Sequence, residues 1–285
     1  MVKKGCCRLS EPVVNASGTE HAGSAASTWK PDAATEKEID ALLRDAFARD
    51  LNLLAVLNDR EPTAEFISNL RTGAASDWFA FKAPTPLFES ACALLDTAFD
   101  AIPDPVDQGT LDELSADFAA IYLIHSYRAP PTESPWLDKD QLERQEPMFE
   151  LAEWYARFGL AAQDRQRRSD DHLVLQLQFL SHLFASDKID VATSTAEAAR
   201  FLDRHLLRWI GDFAKRVAQR CETPYFCGVV TQTHTYLESL RDVLEERFGQ
   251  ERPQIVADAS PPAGGLPKDE DDELAAYVPG LTPSW

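Results

Sequence analysis

Asp171 and His172 stand side by side in "SDDHLVLQLQFL", a carboxylate and an imidazole at the head of a long apolar run. An imidazole can take up and release a proton near neutral pH, and a carboxylate can grip a guanidinium group through two parallel hydrogen bonds. If the run is a helix, adjacent residues point about 100° apart, so the two do not pair with each other but can line the mouth of one cleft. A purely structural account also fits: acids in a first helical turn are favoured by the positive end of the helix dipole, and the histidine is then simply buried. In "DRHLLRWIGDF", His205, Arg208 and Trp209 fall at i, i+3 and i+4 on one helical face, suited either to a ring covering a guanidinium or to packing at the core edge. The third candidate is "YRAPPTESPWLD". Pro130 and Pro131 hold the backbone extended, Pro135 biases Ser134 the same way, and Trp136 and Asp138 are thereby held at defined points. This stretch is predicted to be non-helical, serving as structural cover or as a binding wall.

Other chemistry is absent from the pattern. There is no HExxH, GxSxG, GxGxxG or Walker loop, and the six histidines include no i, i+4 pair. The five cysteines, an odd number with no CxxC, read as reduced thiols, and Cys221 and Cys227 are spaced wrongly for a zinc clamp. No catalytic residue, metal site or cofactor is therefore predicted. With 28 basic against 47 acidic residues, a net charge of −19, the chain repels nucleic acid and anionic membranes and steers basic partners inward. No window resembles a membrane span, and no apolar run follows Lys3 and Lys4 as a secretion signal would require. The "RR" at 167–168 is likewise not a targeting signal of this chain.

The elements that must position these residues are helical. Apolar residues recur at 3.6-residue spacing, and helices are predicted near 36–57, 62–71, 84–100, 111–126, 146–160, 170–186, 195–220 and 224–248. Thr110 with Glu113 forms a capping-box pattern, Ser169 precedes the acids at 170 and 171, and Gly249 is placed to end the last helix. The segment 171–184 is apolar on most sides and is predicted to be the central helix. The result is an all-α, single helical-bundle domain of about eight or more helices over 35–250. A flexible leader at 1–34 and an acidic, Pro/Gly-rich tail at 251–285 are predicted to flank it, the tail's Tyr277, Val278, Leu281 and Trp285 being either unbound or docked on the body.

Three segments in order resemble one family, the TorD/DmsD redox-enzyme maturation chaperones. "PPTESPWLD", preceded by "DFAAIYLIHS", is similar to the family's proline-rich loop. "SDDHLVLQLQFL" resembles its acid-Asp-His signature, and "HLLRWIGDFAKRVAQRCETPYF" its closing His-Leu, Trp and Pro-aromatic pattern. The chain reads "IYLIHSYRAPP" where the family usually has a Gly-Pro. The resemblance implies a cytoplasmic chaperone, not an enzyme, without cofactor and working as monomer or dimer. It would bind the twin-arginine signal peptide and/or the apo form of a molybdopterin oxidoreductase catalytic subunit until the cofactor is inserted. By matched position, the client-binding residues are Asp171 and His172, with Ser134, Trp136 and Asp138 on the loop and His205 and Trp209 nearby. Asp171→Ala with His172→Ala is then predicted to weaken peptide binding while leaving the domain folded. A generic helical scaffold, or a hydrolytic or metal centre built on His172, Asp171 and His205, are the rival readings.

Overall fold

Helix-capping chemistry punctuates the chain from its first described residue. The computed structural model describes residues 32–163 and 168–253, and Asp32 opens it by accepting from the Thr35 N–H at 2.9 Å. Among the described residues eleven α-helices follow: α1 (Ala33–Asp59), α2 (Ala64–Leu70), α3 (Ala75–Trp78), α4 (Pro86–Asp100), α5 (Gln108–Phe118), α6 (Ser134–Leu137), α7 (Glu146–Arg157), α8 (Leu173–Ala185), α9 (Val191–Arg204), α10 (Ile210–Arg220) and α11 (Pro224–Phe248). A π-helical stretch, Ala119–Leu123, continues α5, and a short 3₁₀ turn, Leu206–Arg208, separates α9 from α10. The domain is all-α; the only β pairing among the described residues is an isolated bridge between Thr132 and His172. No helix among them is long and apolar enough to cross a membrane.

The predicted central helix is α8, whose Leu173, Leu177, Leu180 and Leu183 are fully buried along with Phe179 and Phe184. It packs along α1 and against α9, while α11 packs against α4, α10, α9 and α1. Each large apolar side chain so buried contributes about 1.5–3 kcal/mol. The α4–α11 contact is close: a Cβ on Gly228 would lie 2.9 Å from Leu95 Cδ2 and 3.4 Å from Leu95 Cα. Gly228→Val is therefore expected to destabilise by about 1–3 kcal/mol, measurable as a lower urea midpoint with unchanged slope.

Several predicted boundaries move for physical reasons. The cap of α5 is Asp107, whose carboxylate accepts from the Thr110 N–H at 2.8 Å, so Thr110 lies inside the helix rather than at its cap. The predicted helix 195–220 breaks at His205, whose backbone leaves helical geometry at φ −122°, ψ −89°. The predicted helix 170–186 starts only at Leu173, which removes Asp170 and Asp171 from its first turn. Gly249, at φ 66°, ends α11 as its type predicts. Helix α1 starts at Ala33, within the stretch predicted as leader, and the described residues continue past 250, where Arg252 bonds Asp242 at 2.7 Å and Glu238 at 3.2 Å. The remainder of both predicted tails lies outside the described residues.

Candidate functional site

Between the π-helical stretch and α7 the chain turns twice through left-handed backbone, at His125 (φ 51°) and Arg128 (φ 50°), before Pro130 and Pro131 extend it. The extended piece then lies against the segment before α8. Pro131 accepts from the Leu173 N–H at 2.8 Å, and the Glu133 N–H donates to the Asp171 carbonyl at 3.1 Å, on either side of the Thr132–His172 bridge. Contrary to the predicted non-helical loop, residues 134–137 form the single turn α6, since Pro135 in a first turn lacks only an N–H the helix does not use.

This contact carries a chain of buried polar bonds. Asp171, with no exposed surface, accepts through one carboxylate oxygen from both the Ser134 N–H (2.8 Å) and its hydroxyl (2.5 Å), and that hydroxyl accepts from the Gln145 N–H at 3.1 Å. The neighbouring Glu133 bonds the His205 ring nitrogen Nδ1 at 3.0 Å and accepts from the Gln176 side-chain amide at 3.2 Å. Burial is the main influence on its carboxyl pKa and raises it. The break at His205 has its structural counterpart here, for it delivers the imidazole to Glu133. Beyond it, Trp209 stacks on Trp136 with ring centroids 6.4 Å apart, Phe213 closes the group, and the Trp136 indole N–H donates to the Pro130 carbonyl at 2.9 Å.

His172 is the N-cap of α8, an unusual role for an imidazole. Its Nδ1 accepts from the Val174 N–H at 3.1 Å, which requires a neutral ring carrying its proton on Nε2. Burial first, then the positive charge of Arg168 and the nearby His125, push its pKa down to about 3 from 6.5. Between those values the unfolded chain binds a proton that the folded chain excludes, so stability falls as pH drops through the window. By pH 5 this amounts to about 2 kcal/mol. His172→Asn keeps an acceptor for the Val174 N–H and should abolish that acid-dependent loss, read as the difference in urea stability between pH 7 and pH 5. Glu133, with its raised pKa, acts in the opposite sense and is common to both proteins, so the comparison isolates the imidazole.

The structure thus brings Ser134, Trp136, Asp171, His172, His205 and Trp209 into one junction, each less than a tenth exposed. Asp138 stands at its edge, where its carboxylate accepts from the Asp140 and Leu142 N–H groups and closes a turn. The expected open wall of Trp136 is not formed: the ring is 5% exposed and belongs to the core. Sequence reading missed Glu133 and Gln176, although an acid between prolines and a tryptophan in "PPTESPW" was a signal. It also missed Asp59, a carboxylate in the last position of α1, where the helix dipole disfavours it.

An open cleft of about 670 Å³ adjoins this junction, and of the predicted residues only His172 lines it. Its walls carry Asp59 from the end of α1, Arg168 from the approach to α8, Thr132 from the loop, and the His125–Glu143 pair at 3.3 Å. Leu123, also on its wall, is 62% exposed, and Ile124 and Leu142, next in sequence to that pair, are 71% and 52% exposed. Among the described residues no group of three or more His, Cys, Asp or Glu could hold a metal ion. Burial raises the thiol pKa of Cys92 to about 11 and that of Cys221 to about 12, leaving poor nucleophiles.

Asp171, Glu133, His172 and His205 each make internal bonds at the junction, and beside them lies a cleft with charged walls and exposed aliphatic side chains, an arrangement suited to binding a partner. The family model described as nitrate reductase delta subunit matches residues 84–215, which include the whole junction. The chain is 30% identical over 167 residues to the chaperone protein TorD of a Psychrobacter species, spanning 55% of this chain and 74% of that one. It is 25% identical over 191 residues to the TorD chaperone of Aliivibrio fischeri (65% and 88%), and 26% identical over 152 residues to the selenate reductase assembly chaperone protein of Thauera selenatis (51% and 76%). The chain belongs to the TorD family of chaperones.

Proposed function

We propose that this protein is a cytoplasmic maturation chaperone for a molybdopterin oxidoreductase, binding the twin-arginine signal peptide and the apo form of its catalytic subunit before cofactor insertion. The observation that carries the proposal is kinship with chaperones of which one is named for reductase assembly. The cleft supports it physically. A chain of net charge −19 attracts a cationic peptide from a distance, and exposed Leu123 and Ile124 offer aliphatic surface to the apolar residues of such a peptide. In this reading His172 meets the peptide directly. Ser134, Trp136, Asp171, His205 and Trp209 hold the loop against α8, and Asp138 fixes the turn leading towards Leu142. Residues 35–250 act as one domain, since one core cluster runs from Ala46 to Leu244.

The test is calorimetry of the full chain against the N-terminal peptide of a molybdenum reductase subunit from the same host, paired with affinity purification from that host. Saturable binding and recovery of a single reductase subunit are expected. Absence of binding together with a diverse set of recovered proteins would favour a general scaffold instead.

A further inference from the structure

The cleft already holds guanidinium groups, and they are the chain's own. Arg168 Nη1 donates to Asp59 Oδ1 at 2.6 Å, and Arg60 Nη2 donates to Asp59 Oδ2 at 3.2 Å, so this single carboxylate accepts from two arginines, one on each oxygen. Asp59 terminates the 27-residue α1, where the negative end of the dipole disfavours an acid. Helix stability alone gives no reason for an aspartate there. Two further acceptors line the same cleft with no hydrogen bond inside the protein: the hydroxyl oxygen of Thr132, a residue only 7% exposed, and that of Ser169. A buried hydroxyl without a partner is costly and points to a donor supplied from outside.

Resting on the client-peptide reading above, we infer that Asp59 is the carboxylate that receives the client's paired arginines, and that Arg168 is an internal surrogate which the client displaces. The cleft walls hold Asp59, Glu61 and Glu143 against Arg60, Arg144 and Arg168, so the cleft is locally near neutrality despite the acidic chain. Substituting an incoming guanidinium for that of Arg168 conserves the ion pair at Asp59. The exchange therefore avoids the cost of burying a new charge, and the displaced side chain, 34% exposed where it now sits, passes to solvent. The client gains what Arg168 does not supply: donors for Thr132 and Ser169, and aliphatic contact with Leu123. Arginine suits this better than lysine, because its planar fork presents several donors at fixed angles. The device also sets a threshold. A single basic residue only replaces Arg168, whereas two adjacent arginines followed by apolar residues bring enough additional contacts to outcompete it.

The test is calorimetry of the full chain with an acetylated peptide carrying two adjacent arginines and a leucine-rich run, and with its two-lysine counterpart. Arg168→Gln should tighten binding of the arginine peptide by about three- to tenfold by removing the competitor. Asp59→Asn should weaken it by about tenfold or more, and the double variant should match Asp59→Asn, because Arg168 then has nothing to compete for. Both positions are on the cleft surface, and unchanged thermal melts are expected to show that each variant folds. If wild type binds and Arg168→Gln and Asp59→Asn leave the affinity unaltered, the assignment to Asp59 is overturned while the chaperone reading stands. If wild type binds neither peptide, the reading falls and this assignment with it.

Discussion

Asp171→Ala is expected to lower the unfolding free energy by about 2–4 kcal/mol, because it strips the acceptor from two buried donors at once. The Ser134 N–H and hydroxyl both end on the same Asp171 oxygen, and neither has access to water in the folded protein. The hydroxyl also accepts from the Gln145 N–H, so the loss propagates towards the start of α7. Asp171→Asn retains one carbonyl oxygen and should give about half that loss. Urea denaturation of the three proteins at pH 7 checks both values. Peptide affinity should fall alongside stability, since the loop carrying Thr132 is held to α8 by these bonds. This sharpens the sequence-based prediction that the Asp171 and His172 double variant weakens peptide binding while the domain stays folded: the folded domain is expected to be less stable. An unchanged urea midpoint with lost binding would show instead that Asp171 touches the client directly.

The second large effect is expected at Asp117, which does not itself line the cleft. Its carboxylate accepts from the Tyr127 hydroxyl (2.7 Å) and the Glu222 N–H (3.1 Å) on one oxygen, and from the Thr223 N–H (2.7 Å) and hydroxyl (2.6 Å) on the other. These donors come from the loop after the π-helical stretch and from the approach to α11, so one side chain joins three parts of the chain. It also supplies negative charge at the positive end of α11, whose own N-cap, Thr223, makes no side-chain capping bond. Asp117→Ala leaves the buried Thr223 N–H and hydroxyl, and two part-buried donors, without an acceptor and should cost about 2–4 kcal/mol, with early loss of amide-exchange protection at the start of α11. Equal protection in the variant and the wild type would contradict it.

Much of the helical body was legible in the sequence. Ile39 and Leu43 through Leu54 of α1, and the Leu–Phe run of α8, repeat at the helical period, and Gly249 terminates α11 by a left-handed backbone that glycine adopts without strain. Legibility failed where two local rules competed. Asp107 and Thr110 are both capping residues, and only the geometry of the preceding chain selected Asp107. "TAEAARFLDRHLLRWIGDF" keeps helical periodicity through His205, yet the backbone breaks there and the imidazole is bonded to Glu133.

The candidate site divides the same way. The residue types of "PPTESPWLD" and "SDDHLVLQLQFL", and their resemblance to one family, were sufficient to single out the residues that meet. They were not sufficient to say that Asp171 and Trp136 face inward, nor that a cleft opens beside them at Asp59 and Arg168. Sequence by itself determined the helix class, the core faces and most helix ends, since these depend on residues within four positions of one another. Tertiary structure alone decided which acids are buried and which are open to a partner. That choice rests on bonds between residues 37, 72 and 109 positions apart, Ser134 to Asp171, Glu133 to His205 and Asp59 to Arg168, which no local pattern encodes.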